Sequence, residues 1–70
     1  MKVLLLGSGG REYTFCRQLA KSPHQPQLFI APGNAGTAQF GTNIEVSPTD
    51  FEGLKQAVLM HQIELIIVGP

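Results

Sequence analysis

The sequence has little of what marks a secreted, membrane-bound or nucleic-acid-binding protein. Cys16 is the one cysteine, so no disulfide framework can form and a reducing, intracellular setting is expected. The apolar run of residues 3–6 is far too short for a signal-peptide core or a membrane span. Five basic and five acidic residues balance each other and are scattered, which provides no patch for nucleic acid or an acidic membrane surface. We expect a cytoplasmic protein that binds neither membranes nor nucleic acid.

The sequence also lacks the side-chain groupings that catalysis and metal binding require. Its two histidines, His24 and His61, have no partner at metal-ligand spacing. No Ser/His/Asp, Cys/His or paired-carboxylate arrangement is recognisable. Cys16 lies on an apolar helix stripe, where a thiol is an inert core residue. We therefore expect no catalytic residue, no metal ligand and no cofactor bound to these 70 residues alone.

What the sequence does contain is an apolar run that ends in three closely spaced glycines, Gly7, Gly9 and Gly10. A buried parallel strand that turns sharply into a helix has this pattern, and glycine permits both the turn and a close ligand approach. The N-terminus of the following helix directs its free N–H groups and positive dipole end into the same space. We interpret this stretch as an anion-binding corner, although a tight turn without a ligand has the same pattern.

The other elements follow from apolar periodicity. Strands are predicted at residues 2–6, 27–31, 43–46 and 64–68, the third being weak and at an edge. A first helix is predicted at residues 11–22, with Phe15, Cys16, Leu19 and Ala20 on its apolar stripe. A second helix is predicted to begin at an Ser47 N-cap and to end near Gln62. Right-handed crossovers then favour a Rossmann-like parallel α/β sheet with the strand order third, second, first, fourth.

Ligands of such sheets bind beyond the carboxyl ends of the strands, close to the point where the strand order reverses. Three glycine-bearing loops are predicted to meet there. A cation in the first helical turn opposes the helix dipole unless an anion is bound, and this favours a ligand role for Arg11. Taken alone, the loop after the second strand is better explained as a simple turn, but its predicted position at this edge makes Asn34 a candidate ligand donor. The candidate substrate-binding residues are Gly9, Gly10, Arg11, Glu12, Gly33, Asn34, Ala35, Gly36, Thr37, Gly69 and Pro70.

A dinucleotide-binding module is the main alternative. Gly7-Ser8-Gly9 matches the first two glycines of the G-x-G-x-x-G fingerprint, but Glu12 stands at the third glycine position. The fingerprint also needs an acidic residue after the second strand to hold the ribose, and Pro32-Gly33-Asn34 offers none. A complete NAD site is therefore disfavoured, while a stand-alone nucleotide-binding module stays open.

The order of three motifs resembles a known family. Gly-Ser-Gly-Gly-Arg-Glu at the first turn, Ala-Pro-Gly-Asn-Ala-Gly-Thr-Ala from Ala31 to Ala38, and Val-Gly-Pro from Val68 to Pro70 are similar to the phosphoribosylamine–glycine ligases of purine biosynthesis. The resemblance spans the whole chain, and the octapeptide is its most distinctive part. Two features depart from the family pattern. Tyr13 stands where a histidine usually follows Arg-Glu, and the glutamate that usually follows Gly-Pro lies beyond Pro70.

The resemblance implies that residues 1–70 are the N-terminal, pre-ATP-grasp domain of a longer ligase. That enzyme joins glycine to 5-phosphoribosylamine through a glycyl phosphate, with ATP and Mg²⁺ or Mn²⁺. The nucleotide and the metal are expected in the ATP-grasp portion, the remaining partner of this domain, and the domain alone is expected to be inactive. The two glycine loops are implied to hold the phosphoribosyl substrate. Another ATP-grasp carboxylate–amine ligase is a further alternative.

Overall fold

The apolar run after Met1 forms the central region of a parallel four-stranded sheet. The computed structural model describes residues 1–7, 9–23 and 26–68. The strands are β1 (Lys2–Gly7), β2 (Gln27–Pro32), β3 (Thr42–Asn43) and β4 (Leu65–Val68). They lie in the order β3-β2-β1-β4, and every pairing is parallel. The predicted α/β class and strand order are confirmed.

Two helices of eleven residues each, α1 (Gly10–Ala20) and α2 (Phe51–His61), cover the two faces of the sheet. Side chains alternate between the faces of a strand, so β1 contributes to two cores. One core contains Val3, Leu5, Cys16, Leu28 and Ile30, and the other contains Leu4, Phe29, Ala31 and Leu54. Runs that are apolar on both faces are typical of strands covered on both sides, as β1 and β2 are here.

The predicted apolar stripe of α1 is only partly correct. Cys16 is fully buried and Leu19 packs against the same core, but Phe15 is 41% exposed and Ala20 is exposed. Successive helical residues are about 100° apart around the helix axis. Cys16 lies at the centre of the face that contacts the sheet, and Phe15 therefore lies beside that face. The half-buried residues Glu12 and Tyr13 extend that face toward the start of the helix.

Two boundaries differ from the predictions by three residues. The N-cap of α2 is Asp50, whose Oδ1 accepts a hydrogen bond from the Gly53 amide at 3.0 Å, and the predicted Ser47 cap is wrong. Ser47 instead accepts the Asp50 N–H at its carbonyl (3.0 Å), closing a turn before the helix. Strand β3 is also shorter than predicted. The Val46 N–H donates to the Ile44 carbonyl at 2.8 Å, a γ-turn-like contact that bends the chain away from the sheet.

Strand β4 lies at an edge and is apolar but open to solvent. Leu65, Ile66 and Val68 are 45%, 47% and 71% exposed. On each face of β4 lies an open apolar depression, of about 440 Å³ beside α2 and about 430 Å³ beside α1. Among the described residues, neither helix is long and apolar enough to cross a membrane.

Candidate functional site

The two predicted glycine loops lie side by side at the carboxyl ends of β1 and β2. Gly7 pairs with Pro32 at the end of the parallel ladder. Beyond that pair, the Gly33 amide donates to the Gly7 carbonyl at 3.0 Å and joins the loops directly. This confirms that these two loops meet at one rim of the sheet. The third predicted loop, Gly69 and Pro70, lies outside the described residues, as does Ser8.

The start of α1 is partly occupied by the carboxylate of Glu12. Its Oε2 accepts a hydrogen bond from the Gly9 amide at 3.1 Å. Because Gly9 has no side chain, this is the one half of a capping box that can form. The carboxylate also lies against Gly7, whose φ of 142° favours glycine and where a Cβ would displace the Glu12 side chain. A ligand that bonds to the Gly9 amide must therefore displace Glu12. The next two residues, Gly10 and Arg11, are exposed to solvent.

Replacing Glu12 with alanine is expected to destabilise the domain by about 1 kcal/mol, because the Gly9 amide loses its acceptor at the helix start. Urea unfolding followed by circular dichroism measures this loss. Glu12→Gln keeps an oxygen acceptor at the same position and is the matched control, expected to unfold near the wild-type midpoint. Equal midpoints for the alanine variant and the wild type would contradict the capping role.

The loop of residues 33–37 is held by a compact hydrogen-bond network centred on Thr37, which is fully buried. The Asn34 amide donates to Thr37 Oγ1 at 2.8 Å, and the Thr37 amide donates to Asn34 Oδ1 at 2.9 Å. Gly33 has φ of 74°, in the left-handed region that glycine adopts without strain. Part of the predicted binding set is therefore engaged in shaping the loop.

Tyr13 connects the first turn of α1 to this loop. A Cβ on Gly36 would lie 2.5 Å from Tyr13 Cδ2, so the ring packs directly on the glycine backbone. The ring also meets Phe40 edge-on, with centroids 5.6 Å apart. Tyr13 thus packs between the first turn of α1 and the 33–37 loop.

Arg11 lies in the first turn of α1 with an exposed side chain. Together with Gly10 it lines a shallow depression of about 420 Å³ that continues along the outer face of α1 past Thr14, Phe15 and Gln18. Ala35 is exposed and Gly36 half-buried at the neighbouring loop. The structure brings the described candidates into two adjacent groups, residues 9–12 and residues 33–37.

Sequence reasoning missed Asn43, which lies outside the loop and makes two side-chain hydrogen bonds to it. Thr37 Oγ1 lies 2.8 Å from Asn43 Oδ1, and Asn43 Nδ2 donates to the Asn34 carbonyl at 2.8 Å. An asparagine in a short, weakly apolar strand carries no local pattern that distinguishes it. Its role depends on the pairing of Asn43 with Ile30, which places β3 beside the end of β2.

The remaining reactive group near the site is the Cys16 thiol. Burial, and secondarily the charge of Glu12, raise its pKa, so the thiol stays protonated at neutral pH. This agrees with the predicted inert core role. Within residues 1–7, 9–23 and 26–68, no three His, Cys, Asp or Glu side chains are grouped closely enough to hold a metal ion.

Comparison with known proteins identifies the family. The family described as "Phosphoribosylglycinamide synthetase, N domain" matches residues 1–70, the entire chain. The chain belongs to this family. Relatives of this N-domain family include the Phosphoribosylamine--glycine ligase of Yersinia pestis, 43% identical over 72 residues, and that of Rhodopirellula baltica, 41% identical over 68 residues. The "Trifunctional purine biosynthetic protein adenosine-3" of Gallus gallus is 48% identical over 71 residues.

The N-domain match covers a small part of each relative. It includes 100% of this chain but 17% of the Yersinia ligase, and 97% of this chain but 16% of the Rhodopirellula ligase. For the chicken protein the shares are 99% of this chain and 7% of the relative. The chain thus spans about one sixth of the length of each of these two ligases.

Proposed function

We propose that residues 1–70 form the N-terminal, pre-ATP-grasp domain of a ligase that joins glycine to 5-phosphoribosylamine in purine biosynthesis. Within that enzyme the domain binds the phosphoribosyl substrate. Family membership supports the reaction, since two relatives carry the name Phosphoribosylamine--glycine ligase. Glycine, ATP and Mg²⁺ or Mn²⁺ are proposed to bind in the ATP-grasp portion, in a cytoplasmic enzyme.

The observation that supports the binding role most directly is the hydrogen bond from the Gly33 amide to the Gly7 carbonyl. It holds the two glycine loops together at the carboxyl edge of the sheet, next to the positive end of the α1 dipole. The Gly10 and Arg11 amides and the Arg11 guanidinium offer donors to a phosphate. In the 33–37 loop, whose other amides bond within the protein, the Ala35 and Gly36 amides offer donors to the sugar. Glu12 remains a candidate for a sugar hydroxyl through its carboxylate.

The exposed apolar surface around β4 supports the proposed partner, the remaining domains of the same ligase. Phe51 and Leu59 on α2 are 79% and 69% exposed and line one open depression together with Ile66 and Val68 of β4. Contiguous apolar surface of this kind usually contacts further protein. The two ligases named above are about six times longer than this chain and contain further residues that can cover this surface.

An NMR titration of the ¹⁵N-labelled chain with ribose 5-phosphate tests the binding role. Ribose 5-phosphate carries the phosphate and sugar of the proposed substrate without its unstable amine. Saturable shifts confined to residues 9–12 and 33–37 are expected. A parallel titration with NADH tests the dinucleotide alternative, and saturable NADH binding without a response to ribose 5-phosphate would refute the proposal.

Arg11→Ala is expected to weaken ribose 5-phosphate binding about tenfold, because a charge-assisted hydrogen bond to phosphate is lost. The same titration measures it. Arg17→Ala removes another exposed arginine, from the last turn of α1, and is the matched control. Unchanged affinity in Arg11→Ala, or an equal loss in Arg17→Ala, would remove Arg11 from the site.

A further inference from the structure

We propose that Asn43 is a positioning residue for the substrate loop: it holds residues 33–37 in their binding conformation through Asn34 and Thr37, without contacting the substrate. This inference rests on the proposed function, since it assigns a determinant of affinity at the same site. Asn43 lies on β3, outside every segment that the sequence motifs single out.

The hydrogen-bond geometry determines which atoms of the Asn43 side chain face the loop. The Asn34 carbonyl already accepts the Ala38 amide at 3.1 Å, and Asn43 Nδ2 donates to it at 2.8 Å. The opposite amide orientation would place two oxygens against each other there. Asn43 Oδ1 therefore faces Thr37. The Thr37 hydroxyl lies 2.9 Å from the Asn34 carbonyl and 2.8 Å from Asn43 Oδ1, so Asn43 Oδ1 is available to accept its hydrogen bond.

Through these two bonds Asn43 contacts both ends of the turn from Asn34 to Thr37. Burial makes the contacts matter, because Thr37 is fully buried and no water can replace a lost acceptor without opening the loop. Asn43 is itself fixed by the sheet. It pairs with Ile30 on β2, and the next amide, that of Ile44, donates to the Ile30 carbonyl at 2.7 Å. Asn43 thus joins the loop to the sheet, whose hydrogen bonds hold the Asn43 backbone in place.

Gly33 is part of the same arrangement. A Cβ at Gly33 would overlap Asn43 Oδ1 and approach Thr37 Oγ1 to 2.8 Å. Gly33 leaves room for the side-chain amide of Asn43 to pass under the loop backbone and reach Thr37. Gly33 in turn bonds to Gly7, so a shift of Asn43 also disturbs the contact between the two loops.

The test compares ribose 5-phosphate binding by the wild-type chain, Asn43→Ala, Thr37→Val and the double variant. We expect each single variant to weaken binding by about threefold to tenfold, the range that one hydrogen bond provides. Because both variants remove the contact between Thr37 and Asn43, the double variant should lose less affinity than the product of the two single losses. Thr42→Ala, an exposed neighbour on β3, is the matched control and should bind like the wild type.

Two further readouts separate positioning from general stability. While a variant stays folded, as NMR peak dispersion reports, lower stability alone does not change the dissociation constant. Faster hydrogen exchange confined to the Asn34 and Thr37 amides should accompany the loss in Asn43→Ala. If that variant fails to fold, Asn43→Asp, which keeps the acceptor for Thr37 and loses the donor to Asn34, replaces it, with the same weakening expected.

The outcomes are distinguishable. Wild-type affinity in folded Asn43→Ala, or multiplicative losses in the double variant, would overturn the positioning role and leave the proposed function intact. No binding of ribose 5-phosphate by the wild type would overturn the proposed function, and with it any positioning for that ligand. Exchange that accelerates evenly along the chain would show Asn43 to be a stability residue only.

Discussion

Gly41→Ala is expected to leave the chain largely unfolded at room temperature. A Cβ at Gly41 would lie 2.5 Å from the Leu28 carbonyl oxygen and 2.8 Å from Leu28 Cβ. The carbonyl belongs to β2, which is paired on both sides and cannot move aside as a flexible side chain would. Overpacking of this kind destabilises by about 3 kcal/mol. A domain of 70 residues has little more stability than that to lose.

Thermal unfolding followed by circular dichroism measures the effect. Gly10→Ala is the matched control, because a Cβ at Gly10 would have no atom within 4 Å and alanine suits a helix better than glycine. That variant should unfold at the wild-type temperature or slightly above it. A cooperative transition at the wild-type temperature in Gly41→Ala would contradict the close approach of the Gly41 and Leu28 backbones.

Gly33→Ala is expected to destabilise the domain by about 2–3 kcal/mol and to abolish measurable ribose 5-phosphate binding. The left-handed backbone at Gly33 costs an alanine about 1–2 kcal/mol. The added Cβ also displaces Asn43 Oδ1 from Thr37, and the lost hydrogen bond contributes about 1 kcal/mol more. Urea unfolding and the NMR titration measure the two effects separately.

A second-site background separates the two causes. With Asn43→Ala already present, the overlap with Asn43 is relieved and only the backbone cost and the 2.8 Å approach to Thr37 Oγ1 remain, so Gly33→Ala should cost less than in the wild-type background. Gly33→Asn tests the contribution of the overlap, since asparagine tolerates the left-handed backbone but still carries the overlapping Cβ. Equal destabilisation by Gly33→Ala in both backgrounds would show that Asn43 does not lie beneath Gly33.

Some features of the candidate site follow from local sequence patterns, and others do not. The glycine turn after β1, and its position next to a helix start, were predictable because three glycines follow an apolar run directly. The role of Glu12 as a cap was not predicted, although its place three residues after Gly9 carries that signal. Asp50 as the cap of α2 was missed because Ser47 offers an equally good local pattern. The hydrogen bond from the Asp50 amide to the Ser47 carbonyl forms a turn before the helix, so that Asp50 and not Ser47 is the N-cap.

The sequence by itself determined the α/β class, the order of the strands and the adjacency of the two glycine loops. These follow from apolar runs, from turn residues and from the handedness of short parallel crossovers, all of which act over a few neighbouring residues. Only the tertiary structure decided that Asn43 supports Thr37, that Tyr13 packs on Gly36, and that Phe15 faces solvent. The reason is that each depends on which side chains the strand register and helix rotation bring together, and neither register nor rotation is encoded in local spacing.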